Sequence, residues 1–318
     1  MKFTRKFITA LFSVALAFGL AGCTEQQGPE QQPPVEDETP GRASDLMTLF
    51  YQIIEKQDAE TAREKVYIVA HRGNTQAAIS QFVPENSLEC FQIAIESGVV
   101  DMIEIDVRPT KDGELVIMHD SSINRTTNGK GNVSDLTYAQ LMTYDMKRDS
   151  KVSAGVKVPT LKQVFELCKG KMFINLDIHS KNVPIGQLAA LIQECGMVDQ
   201  VMIYSSQAEL VEYPAIDPNF IIHPYVSSVS AATSYKPYFG ALLFQYGLDY
   251  SDKKSNITFP AQMRAQGYLT YTNILDYDNN IRKSDYTALV RFIESETDFI
   301  QTDAAELVHE YLQVAGLR

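Results

Sequence analysis

The 318-residue chain has no tryptophan and, among four cysteines, no Cys-x-x-Cys pair, which argues against a zinc module or a thiol-redox motif. It has no long basic run. With 28 Lys and Arg against 40 Asp and Glu its net charge is −12, so it is a poor candidate for nucleic-acid binding. Outside the N-terminal leader no stretch approaches 18 apolar residues, which excludes a multi-span membrane protein. There is no repeat of 20–50 residues and no second low-complexity linker after residue 44. The 45% hydrophobic content is that of a folded protein, and the length suits one large domain or two small ones.

The first 22 residues read as an address. Lys2, Arg5 and Lys6 give a basic start, and Phe7 to Ala21 is uncharged. Fifteen residues are short for a membrane span and suit a signal-peptide core. The core ends in Leu20-Ala21-Gly22-Cys23, which resembles a bacterial lipoprotein signal with Cys23 as the lipidated residue. The alternative is a secretory leader with a cysteine near its cut site. Removing residues 1–22 takes away three cations and no acids, so the mature charge becomes −15. Thr24 to Gly41 is rich in Gln, Pro and Glu and reads as a flexible tether, 23–43, ahead of a folded body at 44–318. The lipoprotein reading implies a cell-envelope location, periplasmic or outer-membrane-facing, with the membrane as a partner through the anchor. Cys90, Cys168 and Cys195 are odd in number, and free buried thiols are expected.

The body alternates β-rich runs with amphipathic helices. Strands are expected at Val66–Ala70, Met102–Val107, Lys171–Ile178, Val201–Tyr204, Phe220–Ile222, Ala241–Phe244, Tyr268–Tyr271 and Phe299–Gln301. Helices are expected after Ser87, from Thr160 (a capping box with Gln163), around Ile185–Cys195, and at Thr258–Gln266, Ser284–Glu294 and Ala304–Val314. Eight strands separated by helices fit a single-domain α/β fold, a (β/α)8 TIM barrel. A doubly wound sheet is the rival, weakened because no G-x-G-x-x-G loop follows the first strand.

In such a barrel the chemistry lies at the C-terminal ends of the strands. Those ends carry His71-Arg72-Gly73, Glu104-Ile105-Asp106, Asn175-Leu176-Asp177-Ile178-His179 and Gln301-Thr302-Asp303. Residues two apart share a strand face, so Glu104 and Asp106 point together. Two carboxylates so placed are either solvated, paired with Lys or Arg, or joined by a divalent cation. With Asp177 as a third oxygen ligand, Mg²⁺ or Ca²⁺ suits the site better than Zn²⁺. Asp112-Gly113 signals a hairpin turn, and Glu114–His119 reads as a return strand. A fold about residues 111–112 brings His119 opposite Glu104. His71 and His119 can then act as general base and acid, and Arg72 can clamp an anionic oxygen. His223 and His309 lack such company and read as structural or surface residues.

These residues, with Pro84-Glu85-Asn86-Ser87, Thr110-Lys111-Asp112-Gly113, Val116-x-x-His119-Asp120, Asn124-Arg125-Thr126-Thr127-x-Gly129 and Val158-Pro159-Thr160-Leu161, resemble the glycerophosphodiester phosphodiesterase family over roughly residues 66–312. The resemblance implies a (β/α)8 barrel and metal-dependent hydrolysis of a small glycerophosphodiester to glycerol 3-phosphate and an alcohol. It implies Glu104, Asp106 and Asp177 as metal ligands, His71 and His119 as proton carriers, and Arg72 on the phosphate. Asn86 is expected near the substrate, and no obligate protein partner is expected. Three positions depart from the family pattern. Asp177 stands where Glu is usual, and His179 where Lys is usual. Tyr271 stands where an aromatic wall of Trp is usual. Two rivals remain: the lipid anchor motivates a phospholipase-D-like enzyme acting on intact lipid, and the altered Asp177/His179 strand motivates a non-catalytic lipoprotein that binds a phosphorylated ligand.

Overall fold

The computed structural model describes residues 66–205, 208–235, 243–246 and 258–318, with residues 208–209 and 243–246 described as backbone only. The expected leader, Cys23 and the tether lie outside these residues. Strands are β1 (Tyr67–His71), β2 (Met102–Pro109), β3 (Leu115–Ile117), β4 (Lys147–Arg148), β5 (Lys151–Val152), β6 (Phe173–Asp177), β7 (Val201–Ser205), β8 (Ile221–Pro224), β9 (Leu243–Tyr246), β10 (Leu269–Asn273) and β11 (Phe299–Thr302). Eight of them run parallel in the order β8-β7-β6-β2-β1-β11-β10-β9. The end strands β8 and β9 lie beside each other, so the sheet curls into a (β/α)8 barrel. Its first and last strands in sequence pair directly, with Val69 opposite Gln301 and Ala70 opposite Thr302.

Strand alternation sorts the residues into two cores. Tyr67, Val69, Met102, Phe173, Met202, Ile221, Leu269, Tyr271 and Phe299 fill the barrel interior. Ile68, Ala70, Ile103, Ile105, Ile174, Leu176, Ile203 and Ile300 join the helices outside. Each Val, Leu, Ile, Met or Phe among them contributes about 1.5–3 kcal/mol by leaving water. The helix Leu161–Cys168 shows how sequence sets this layer. Thr160 and Gln163 cap it reciprocally, and Leu161, Val164, Phe165 and Cys168 form its buried stripe.

Most expected elements are present with ends shifted by one or two residues. The helix expected from Ser284 starts only at Thr287, because Ser284 has φ +64° and cannot join it. The strand expected at Ala241–Phe244 is seen at Leu243–Tyr246, and residues 241–242 lie outside the described set. Cys90 and Cys168 are buried free thiols and Cys195 is half-buried. No helix among the described residues is long and apolar enough to cross a membrane.

The return hairpin forms one residue out of the expected register. Val107 pairs with Ile117 and Pro109 with Leu115, so the turn centres on Asp112. That register would put His119 level with Ile105 rather than Glu104. Continued alternation would also send His119 outward with Leu115 and Ile117, which belong to the outer core. Instead β3 ends at Ile117, and the last rung of the ladder is Met118 N–H to the Asp106 carbonyl at 2.8 Å. The chain then turns, and Arg108 fixes it there by donating from Nε and Nη2 to the His119 carbonyl at 2.9 and 2.7 Å.

Candidate active site

A cavity of about 270 Å³ opens at the strand ends. His71, Arg72, Glu104, Asp106, His119, Asp177 and His179 all line it, together with Asn175, Tyr204, Asn273 and Gln301. Nine of these eleven lie on strands β1, β2, β6, β7, β10 and β11 or immediately after them, and His119 arrives from the hairpin.

The loop after β1 is built to present Arg72. Arg72 and Gly73 both take positive φ, +54° and +73°, and the turn closes with Gly73 N–H to the Ala70 carbonyl at 3.1 Å. A Cβ at Gly73 would stand 2.5 Å from the Phe91 ring, so only glycine fits against that helix. The Arg72 amide donates to Glu104 Oε2 at 3.1 Å, and Nη1 donates to Glu85 Oε1 at 2.7 Å. Nε is buried, 3.5 Å from Asp106 Oδ2, and has no hydrogen-bond partner among the described residues. The guanidinium is thus pinned on one side, with donor capacity left for an anion.

Two of the three cavity histidines, His71 and His119, carry a carboxylate on Nδ1. For His71 it is Asp303 Oδ1 at 3.0 Å, and for His119 it is Asp120 Oδ1 at 2.7 Å. A carboxylate only accepts, so each Nδ1 bears the hydrogen and each Nε2 is left to exchange protons. Burial works against a charged His71 ring, but Asp303 and Glu104 outweigh it and raise its pKa above 6.5. The His71 side chain is 13% exposed and that of His119 44%, so one ring is enclosed and the other stands at the mouth. Arg125 links the two halves of the rim. It donates to Asp120 Oδ2 at 2.8 Å and to Glu85 Oε1 at 2.7 Å.

Glu104, Asp106 and Asp177 each bring a carboxylate oxygen within 4.8 Å of the others, a group able to hold a metal ion. Their register explains it: Glu104 is level with Asn175, and Asp106 with Asp177. The crowding is visible in Glu104, whose pKa is pushed up to about 8 by burial and then by the charge of Asp106. A bound cation would relieve both effects. Asp106 goes the other way. Burial disfavours its charge, but Lys181, His119 and Arg72 hold it ionised.

Two expected substrate contacts are placed elsewhere. Asn86 is buried with φ +57° and donates from Nδ2 to Asp106 Oδ2 at 2.9 Å. It stands behind the carboxylate rather than on the cavity wall. Tyr271 is fully buried in the barrel interior, one layer below Asn273. Its hydroxyl donates to Gln301 Oε1 and lies 3.4 Å from Asn175 Nδ2. It is a floor beneath the site and not a wall. His223 is structural as expected. It is buried with Nδ1 3.2 Å from Asn175 Oδ1, and burial pushes its pKa down to about 3.

Lys181 escaped the sequence reading. Its amine lies 2.7 Å from Asp177 Oδ1 and 3.1 Å from Asp106 Oδ1. The positive charge missing at His179 is therefore present two residues later. The i,i+4 spacing from Asp177 was the available signal. Asp303 and Asp120 stood in quoted motifs, but their partnership with the histidines needed the fold.

The fold and site define a barrel with two carboxylate-held histidines, an arginine and a three-acid group at its mouth. The glycerophosphoryl diester phosphodiesterase family model matches residues 71–202. A glycerophosphodiester phosphodiesterase of Caldanaerobacter subterraneus is 44% identical over 119 residues, which are 36% of this chain and 46% of that protein. YhdW of Bacillus subtilis, assigned provisionally to the same activity, is 32% identical over 174 residues, which are 52% of this chain and 69% of that protein. The crystal structure of a glycerophosphoryl diester phosphodiesterase from Parabacteroides distasonis superimposes with a TM-score of 0.72 at 25% identity, covering 86% of this chain and 92% of that one. The chain belongs to the glycerophosphodiester phosphodiesterase family. Its match spans about half the length of the first of these relatives.

Proposed function

We propose that the chain is a metal-dependent phosphodiesterase that hydrolyses small glycerophosphodiesters to glycerol 3-phosphate and an alcohol. The observation that carries this reading is the pair His71–Asp303 and His119–Asp120 flanking the three carboxylates and Arg72 in one cavity. One Nε2 takes the proton of the attacking oxygen and the other gives a proton to the departing alkoxide. Arg72 binds a phosphoryl oxygen through the donors that Glu85 leaves unused. Glu104, Asp106 and Asp177 would hold Mg²⁺ or Ca²⁺, which supplies charge neutralisation at the phosphoryl oxygens. His179 and Tyr204 on the wall face the alcohol or glycerol portion. The cavity is small and polar, which favours a headgroup diester over an intact lipid with acyl chains. The basic start, apolar core and Leu20-Ala21-Gly22-Cys23 support a cell-envelope location with an anchor through Cys23.

The test is an assay of the full-length chain on glycerophosphocholine and glycerophosphoethanolamine, with EDTA and then with added Mg²⁺ or Ca²⁺. Glycerol 3-phosphate should form, cease with EDTA and return with metal. His119→Ala should lower the rate about 10²–10⁴-fold without unfolding the protein. Turnover of lipid diesters alone would shift the reading to the phospholipase-D-like enzyme. Binding without any turnover would make it a binding protein.

A further inference from the structure

The loop after β6 is bent to deliver Lys181 inward. Ser180 and Asn182, on either side of it, have φ of +55° and +54°, a region non-glycine residues seldom occupy. The Lys181 side chain is only 5% exposed, and a buried ammonium persists only when paired. Its partners are two of the three groups that can hold a metal.

An oxygen inventory shows the conflict. Asp106 Oδ2 accepts from Asn86 at 2.9 Å, and its buried Oδ1 has no hydrogen bond and faces the Lys181 amine as an ion pair at 3.1 Å. Asp177 Oδ1 takes the Lys181 amine at 2.7 Å and the His179 amide at 2.8 Å. Glu104 Oε1 and Asp177 Oδ2 take no hydrogen bond among the described residues, and neither does Asp106 Oδ1, which the Lys181 amine faces. The two oxygens without a paired cation are too few for a hard dication that seeks about six ligands unless water supplies the rest. To recruit Asp106, the ion must draw Oδ1 away from the amine.

We propose that Lys181 is a built-in competitor for the divalent cation, sharing Asp106 and Asp177 with it and holding metal affinity down. The inference rests on the metal reading of the site given above. Arg72 and Lys181 already offset carboxylate charge at the site before any ion arrives. An ammonium within a few ångströms of a dication lowers affinity even under water-like screening, by roughly tenfold or more. The ion then exchanges with solution rather than staying as a permanent component.

The experiment is isothermal titration of the full-length chain with MgCl₂ and CaCl₂, without substrate, for wild type and Lys181→Met. Methionine keeps the apolar stem and removes the charge. The dissociation constant should fall at least about tenfold in Lys181→Met and should not fall in Lys181→Arg. If Lys181→Met folds only with metal, its refolding is followed against metal concentration. Recovery well below the wild-type dissociation constant supports competition, and recovery only above it overturns competition. Equal or weaker binding by Lys181→Met overturns the inference while leaving the metal site standing. If neither protein binds either ion, the inference and the metal reading fall together.

Discussion

Oδ1 of Asp303 lies 3.0 Å from Nδ1 of His71 although 232 residues separate them. The contact follows from β1 pairing with β11, which sets Ala70 level with Thr302 and so brings the next residues of each strand together. Nδ2 of Asn74 donates to the same Asp303 oxygen at 2.9 Å and holds it in place.

Asp303→Asn should therefore move a titration. In the native chain burial lowers the His71 pKa, and the hydrogen bond and charge of Asp303 with the charge of Glu104 outweigh it. Without the Asp303 carboxylate the raising side is weaker, and the limb of the pH–kcat/KM profile owed to His71 should shift to lower pH, with a fall in kcat. The stability sign follows. A raised folded pKa contributes stability that is present below about 6.5 and lost as pH rises through the folded value. Denaturation should find Asp303→Asn more destabilised near about pH 5.5 than near about pH 9.

Gly73→Ala should cost about 1–3 kcal/mol or more in urea denaturation. The new Cβ would meet the Phe91 ring at 2.5 Å while demanding φ +73°. Gly113→Ala separates the two effects, since Gly113 has φ +87° and nothing within 4 Å. Gly73→Ala should be the more destabilised, and only it should lower activity, because it carries Arg72. Equal costs would remove Phe91 from the account.

Tyr271→Phe should destabilise the fold by about 1–3 kcal/mol, since Gln301 and Asn175 lose a buried partner. The KM for glycerophosphocholine should be unchanged. A tenfold rise (about 1.4 kcal/mol) in KM with unaltered stability would instead put the phenol on substrate.

The strands and the identity of the paired carboxylates were legible because strand alternation is local and fixes which residues share a face. Tyr271 shows what alternation leaves out. Leu269, Tyr271 and Asn273 all point inward, but depth along the barrel decides which one meets the cavity. His119 shows the opposite failure. Continued alternation sends it outward, and it reaches the site only because β3 stops two residues earlier and Arg108 holds its carbonyl. Lys181 depends on two positive-φ residues in an irregular loop, which no periodicity announces. Asn86 is placed by the Ser87 cap of the next helix, a local contact, and by the hydrogen bond its backbone N–H donates to the Arg72 carbonyl at 3.0 Å, a contact between separate loops.

The pairing of β1 with β11 also governs timing. A chain leaving the ribosome N-terminus first has made His71, Arg72, all three carboxylates and His119 by residue 177. The carboxylate that sets the tautomer of His71 arrives more than a hundred residues later, with Asp303. A nascent chain therefore carries nearly every reactive group without the arrangement that makes them work. The hydrolysis proposed for it has its full arrangement only when synthesis has delivered the eighth barrel strand, near the end of the chain.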